Sequence, residues 1–336
     1  AEEQGPGSRV LRHDHAQCTL SRMRSVPPVP LHEIGFVGRG LHRPECVLCG
    51  RDGTVYVADW RGGVTLIAPD GTQRSILPRE NPGRVQPNGI ALVRDGSFLL
   101  ANLGDRGGVW RLQRDGTLEP FCREVAGEVL PPCNFVLVDP EGGVWITVST
   151  RLRPRALGYR PDASDGFIVR VDDAGARIVA EGLGYTNEVQ LDPSGEWLYV
   201  NETFGRRLSR FAVGPDRAVG DRETVATFGA GTFPDGLTFD AEGGIWITSI
   251  VSNRVIRVSP DGAQSVLLED ADPTKLAEVE AAFQGGRLGR PHLDTSFGMR
   301  LRNISSLAFG GPDLRTAYLG CLLDDRIATF RSPVPG

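Results

Sequence analysis

The stretch Pro234-Asp235-Gly236-Leu237-Thr238-Phe239-Asp240-Ala241-Glu242-Gly243-Gly244-Ile245-Trp246-Ile247-Thr248 decides the fold. An apolar run, Leu237 to Phe239, leads into a tight glycine-bearing turn, and a second apolar run, Ile245 to Ile247, leaves it. Turn residues between two short runs of β-branched, Leu and aromatic side chains read as an antiparallel hairpin. The same unit recurs on both sides. Its turn glycines are Gly53, Gly96, Gly142, Gly195 and Gly243, separated by 43, 46, 53 and 48 residues, and a degenerate sixth copy surrounds Gly311-Pro312-Asp313. After each turn comes a strand-like run: Val55 to Val57, Phe98 to Leu100, Val144 to Ile146, Trp197 to Tyr199, Ile245 to Ile247 and Ala317 to Leu319. A third run follows in every unit, and several units go on to another Asp-Gly turn (Asp70-Gly71, Asp115-Gly116, Asp261-Gly262) and a short outer strand.

Four short antiparallel strands per unit of about 40 to 50 residues is the pattern of a propeller blade. Six copies predict an all-β chain folded as a six-bladed β-propeller. The sixth unit has only three strands before the sequence ends, so a strand near Glu33 to Val37 is expected to complete it and close the ring, removing an exposed sheet edge. Residues 1–30 then form an N-terminal extension, and residues 31–336 one propeller domain. Two stretches break the rhythm: a loop at 151–165, and an insert at 270–302 whose segment Pro273 to Gln284 has helical apolar spacing at Leu276, Val279 and Phe283. Loops of that length are commonly functional, and both are expected near one mouth of the channel.

Composition narrows the class. Of 336 residues, 40% are hydrophobic and 24% charged, enough for a packed core, and Gly (43) with Pro (24) suits many turns better than long helices. The formal charge of −5 leaves no basic footprint for nucleic acid. No uninterrupted apolar run approaches the length of a membrane span. The partner expected is a small-molecule substrate; nothing in the sequence specifies an oligomeric state. A Schiff-base mechanism would rest on the single lysine, Lys275, and neither a G-x-S-x-G elbow nor a P-loop is present. Cys18, Cys46, Cys49, Cys122, Cys133 and Cys321 are scattered. Cys46 and Cys49, three apart on a strand, diverge, so free buried thiols and a cytoplasmic address are expected.

Aligned on their turns, the innermost strands begin Glu45-Cys46-Val47, Asn88-Gly89-Ile90, Asn134-Phe135-Val136, Asn187-Glu188-Val189, Asp235-Gly236-Leu237 and Ser305-Ser306-Leu307. The third and fifth positions of these rows are mostly apolar and are expected in the core between blades. The first position carries a side-chain oxygen in all six. Innermost strands surround the channel of a propeller, so six oxygens converge at one height. Two carboxylates among them balance a divalent cation. An oxygen-only set of amides and carboxylates suits Ca²⁺, with Mg²⁺, Mn²⁺ or Zn²⁺ as alternatives.

At these residues the sequence resembles the senescence marker protein/gluconolactonase/luciferin-regenerating enzyme (regucalcin-like) family of six-bladed propellers. The motifs are Pro44-Glu45, Pro87-Asn88-Gly89, Asn134 to Asp139, Thr186-Asn187, Pro234 to Leu237 and Ser305 to Asp313, and the likeness runs from about Pro44 to Phe330. The resemblance implies a divalent cation, typically calcium, held by Glu45, Asn134, Asn187 and Asp235. It leaves Asn88 to touch substrate or a bound water, and Ser305 behind the ligands. Family members that open sugar lactones commonly have Arg-Phe-Asn-Asp around the third-blade Asn. Here Pro132-Cys133-Asn134-Phe135 stands there, with Cys46 and Glu188 where Gly is usual, so the pocket above the metal differs.

The function expected is a metal-dependent lactonase or esterase-type hydrolase, the metal polarising the substrate carbonyl. Asp235 is the candidate catalytic group acting on water, and Glu188 a second base if its side chain points into the mouth. Arg151, Arg155 and Tyr159 in the first loop and His292 in the insert are candidate substrate contacts. The alternatives are a phosphorus-ester hydrolase or a non-hydrolytic biosynthetic enzyme on the same metal, and a calcium-binding propeller without turnover.

Overall fold

A computed structural model describes residues 26–336; His13, His15 and Cys18 lie outside the described residues. The chain forms six four-stranded antiparallel sheets in a six-bladed propeller. The innermost strands are Val47–Cys49, Pro87–Leu92, Phe135–Val138, Thr186–Leu191, Phe233–Phe239 and Ile304–Gly310. Each blade runs outward from its innermost strand in sequence order, except the sixth. There the outermost strand is Gly35–Val37, paired antiparallel with Ile327–Arg331 in the register Phe36 to Ala328. The closing strand is therefore shorter than expected: Leu31–Glu33 forms a 3-10 turn before it. Packing also begins earlier than residue 31, because Val29 is buried and its N–H donates to Leu267 O at 2.6 Å. A small hairpin, Glu124–Val125 with Glu128–Val129, has no counterpart in the sequence reading. Among the described residues no helix is long and apolar enough to cross a membrane.

The hairpin turns form as their residues dictate. Gly96 and Gly243 have φ of +86° and +80°, where a side chain would be strained. In blades three and five the aspartate that opens the turn does more. Asp139 and Asp240 each accept the N–H of the second turn glycine, Gly143 or Gly244, and the indole N–H of Trp145 or Trp246. Each also pairs with a buried arginine, Arg170 or Arg257, lying on the third strand of the same blade. Turn, tryptophan and arginine are thus locked together inside the blade.

The third position of the aligned rows is core, as expected: Val47, Ile90, Val136, Val189, Leu237 and Leu307 are all buried. The fifth position is not. Leu92 is exposed, while Cys49, Val138, Leu191, Phe239 and Phe309 are half-buried, because the strands end there at a wide mouth of the channel. Cys46 and Cys49 diverge into different inter-blade cores, and the five described cysteines are all unpaired. Burial pushes the Cys46 thiol well above its ordinary range and that of Cys49 up to about 12, so neither is a nucleophile near neutrality.

The two stretches that break the rhythm meet over the opposite mouth. The insert carries helix α1, Pro273–Gln284, and a single turn α2, Arg290–Leu293. Asp272 caps α1, its Oδ1 accepting from Thr274 and Lys275 N–H at 2.8 and 3.2 Å, with Pro273 at the first helical position. Val279, Ala282 and Phe283 of α1, with Leu288 and Leu293, bury against Phe204, Phe233, Ile250 and Leu322 on the blades and against Tyr159 of the 151–165 loop. One ion pair latches this cover. Arg206 donates twice to Glu280 of α1 and lies over the rings of Phe233 and Phe283 at 4.4 and 4.2 Å.

Hydrogen bonds from Arg206 hold the Glu280 carboxyl down from 4.5 to about 2. A carboxyl lowered in the folded state stabilises it above the unfolded value and loses that contribution as the pH falls through the folded one. The latch is therefore complete above about pH 4.5 and fails toward pH 2. Glu280→Gln should destabilise the cover on the order of 2 kcal/mol, read as faster hydrogen exchange of the α1 amides at pH 7. In wild type the same acceleration should appear only below about pH 4. Equal exchange in variant and wild type at pH 7 would refute the latch.

Candidate metal centre at one mouth of the channel

The ring position is built by a backbone irregularity. In blades two, four, five and six the pairing of the innermost strand slips between Pro87 and Ile90, Thr186 and Val189, Pro234 and Leu237, and Ile304 and Leu307. Each slip leaves the aligned first and second residues without ladder partners. A bulge bends the strand and re-aims a side chain. In blades one and three the regular strand starts only at Val47 and Phe135, so Glu45, Cys46 and Asn134 likewise lack ladder partners. Neighbouring innermost strands come very close here. A Cβ at Gly89 would lie 2.7 Å from Phe135 Cα, and one at Gly236 2.4 Å from Ser305 O, so these two positions admit only glycine.

Glu45, Asn134, Asn187 and Asp235 are all buried and line one cavity of about 30 Å³. Each is held from behind. Ser305 Oγ donates to Glu45 O at 2.9 Å, and Asn201 Nδ2 donates to Asp235 O and Gly236 O at 3.1 and 2.9 Å. Asn187 Nδ2 donates to Thr203 Oγ1 at 2.9 Å, and the Thr203 hydroxyl in turn donates to Pro234 O at 2.8 Å. That chain fixes the Asn187 amide with its Oδ1 free, buried and without a hydrogen-bond partner.

Burial, with the negative charges of Glu45 and Glu188, pushes the Asp235 carboxyl well above its usual range. Crowded carboxylates and an orphaned amide oxygen are what a hard cation would satisfy, so the residues fit one. Among the described residues no group of three or more His, Cys, Asp or Glu could hold a metal. The ring has two carboxylates, and its remaining donors are amides. One carboxylate is already engaged, since Arg43 Nη2 donates to Glu45 Oε2 at 2.8 Å.

The other expected site residues divide. Arg155 and Tyr159 line the cavity. Asn88 is not among the residues lining it; its Nδ2 donates to Asn134 O and Oδ1 at 3.1 and 3.4 Å, a contact that braces Asn134, and its own Oδ1 is buried without a partner. Asn88→Ala should weaken cation binding about tenfold, measured by calorimetry; unchanged affinity would sink that role. Arg151 is exposed on the outer side of its loop, bonded to Asp165 O, paired with Glu181 and stacked on Phe167. His292 accepts the Gly289 N–H at 3.1 Å through Nδ1 and stays outside the cavity, whereas Arg290 of the same turn reaches it.

Glu188 points the other way. Its carboxylate accepts Leu237 N–H at 2.9 Å and lines a separate cavity of about 450 Å³ at the wide mouth, with Cys46 and Ser306. Burial, with a smaller contribution from Glu45, raises it to about 8. The bulge at Asn187 and Glu188 leaves the two facing different cavities, so Glu188 is not among the residues lining the ring cavity, although its charge is felt at Asp235.

Arg43, Tyr185, Thr203, Phe204 and Arg290 also line the ring cavity and were not singled out from the sequence. A signal existed for two of them. Arg43 and Tyr185 stand two residues before a ring residue, where a strand would place them on the same face. Their left-handed backbone, φ +47° and +67°, is what the sequence hides. Tyr159, Tyr185 and Phe204 form an aromatic triad with centroids 4.7 to 5.4 Å apart.

The family model for the SMP-30/gluconolactonase/LRE-like region matches residues 43–277, which include all four ring residues named above. The chain is 29% identical over 243 residues to the 6-deoxy-6-sulfogluconolactonase of Pseudomonas putida, covering 71% of this chain and 70% of that protein. It is 31% identical over 237 residues to pentonolactonase XacC of Haloferax volcanii, covering 69% and 65%. A gluconolactonase structure from Xanthomonas campestris superposes with a TM-score of 0.66 at 19% identity, over 93% of this chain and 96% of that one, a likeness of fold. With the matched region spanning most of the chain and the ring, this protein belongs to the SMP-30/gluconolactonase/LRE-like family.

Proposed function

We propose that this protein is a divalent-cation-dependent lactonase, with calcium as the cation and a sugar-type lactone as substrate. The observation that carries the reading is the meeting of Glu45, Asn134, Asn187 and Asp235, from four blades, in one buried cavity. These four residues would hold the ion, and oxygen-only donors favour calcium over softer metals. When bound, such a cation supplies Lewis-acid polarisation of an ester carbonyl. The lactonase names of the two curated relatives support the reaction class.

The chain's own residues would do the rest. A carboxylate oxygen of Asp235 takes a proton from the water that attacks the carbonyl carbon and returns it to the ring oxygen as the acyl C–O bond breaks. The guanidinium of Arg155 and the hydroxyls of Tyr159 and Tyr185 orient the substrate from the cover side. The apolar contacts under α1 exclude bulk water, which strengthens these polar interactions. At about 30 Å³ the cavity holds a water or two and no lactone, so the cover must move for substrate to enter. The unpaired thiols support a reducing compartment, the cytoplasm.

The test is hydrolysis of a lactone panel and of organophosphorus esters by purified protein, before and after EDTA, with calcium restored. Lactone turnover lost to EDTA and regained with calcium is the expected result. Turnover confined to phosphorus esters, or lactone turnover indifferent to EDTA, would overturn the reading.

A further inference from the structure

Three hydrogen-bond donors lining the ring cavity are buried without a partner: Arg43 Nε, Arg155 Nη1 and the Tyr185 hydroxyl. Arg155 Nη1 is buried without a partner, and no carboxylate of the described residues lies within ion-pair distance of this guanidinium. The Tyr185 hydroxyl is buried without a partner in the same cavity, on a residue 5% exposed whose backbone is held at φ +67°. A buried donor left unpaired is costly, and a strained backbone that places one is a mark of a functional site. The other arginines at this mouth each have an ion-pair partner, although Nε of Arg43 and of Arg206 is left over: Arg43 pairs with Glu45, Arg206 with Glu280 and Arg290 with Asp294.

Charge points the same way. The guanidiniums that line the cavity, Arg43, Arg155 and Arg290, are balanced by Glu45, Asp235 and Asp294. A divalent cation in the ring then leaves two positive charges unanswered. The negative charge that develops as a lactone opens answers one. The other calls for an anion already present in the ground state.

We propose that Arg155 and the Tyr185 hydroxyl form an anion-binding subsite beside the ring, and that the substrate is a lactone carrying a fixed anionic substituent: carboxylate, sulfonate or phosphate. The assignment of substrate class rests on the lactonase reading; the subsite itself does not. A guanidinium and a phenol both present N–H or O–H donors to such groups, and charge-assisted bonds of this kind are the strong ones.

The test has an activity arm and a binding arm. Calcium-loaded protein is assayed on a neutral lactone and on lactones of the same ring size bearing each of the three anions in turn. The charged lactone that fits should be preferred in kcat/KM by about tenfold or more, a preference that Arg155→Gln removes and Arg155→Lys partly keeps. Which of the three is preferred identifies the anion. Calorimetric titration with inorganic sulfate, phosphate and acetate should show binding at least about tenfold weaker in Arg155→Gln. Should that variant fail to fold, Tyr185→Phe decides, with an expected loss of preference of about threefold. Equal use of neutral and charged lactones, or equal loss on both in the variants, overturns the subsite and leaves the lactonase reading standing. Arg155-dependent anion binding without turnover of any lactone does the reverse: it sinks the lactonase reading and the substrate class together and keeps the subsite. Absence of anion binding in the wild type overturns the subsite outright.

Discussion

Asp235→Ala is expected to lower kcat/KM by about a thousandfold or more and to weaken calcium binding by at least about a hundredfold. The variant should nevertheless be a well-folded propeller. The backbone at this position is fixed by Asn201 and by the bulge, neither of which needs the carboxylate. In the metal-free protein the Asp235 carboxyl is itself a burden, crowded against Glu45 in a buried site. Removing it should leave the metal-free Tm unchanged or raise it. What should disappear is the rise in Tm that saturating calcium gives the wild type, since a ligand that binds only the folded state stabilises it by an amount set by its concentration over Kd. Thermal melts with and without calcium separate the two effects. A variant whose Tm still rises with calcium as the wild type's does would remove Asp235 from the ring.

The second large effect is structural and far from the ring. Asp240→Ala should cost about 3–5 kcal/mol, because it strips a buried arginine of one ion-pair partner and leaves two backbone N–H groups and an indole N–H without their acceptor. Asp240 Oδ1 accepts Glu242 and Gly244 N–H at 2.9 and 2.8 Å, and Oδ2 accepts Trp246 Nε1 and Arg257 Nε at 2.7 and 2.6 Å. Arg257 would keep Glu242, at 3.0 Å, as one remaining ion-pair partner. Asp240→Asn keeps the shape but loses the charge and turns an NH2 toward two N–H donors, and should cost about as much. Urea denaturation at pH 7 measures both. A loss under about 1 kcal/mol for the alanine variant would show that this network is dispensable.

How much of this was legible in the residues differs from feature to feature. The blade repeat was legible because a hairpin turn makes local demands: glycine at positive φ, apolar alternation on either side. The equivalence of Glu45, Asn134, Asn187 and Asp235 was legible because a repeat puts equal positions at equal heights. The direction of Glu188 was half legible: alternation sets it against Asn187, the bulge that holds both is not visible in the residues, and nothing in them says what lies on the far side. Arg151 and Arg155 looked alike in one loop. The fold pairs Arg151 with Glu181 on the outside and turns Arg155 inward. Arg290 and His292 stand two residues apart in one short helix; His292 accepts a local N–H, and Arg290 reaches the cavity.

The sequence by itself determined six blades, their closure by an N-terminal strand and the oxygen-bearing position at the start of each innermost strand, because each depends on contacts between residues near in the chain or on strict repetition. Only the tertiary structure decided that the ring lies under a latched cover, that Asn88 braces Asn134, and that Arg155 and Tyr185 meet without partners. Those facts depend on which distant segments share a cavity, and on backbone bulges and left-handed turns that break the alternation by which a strand's side chains are read.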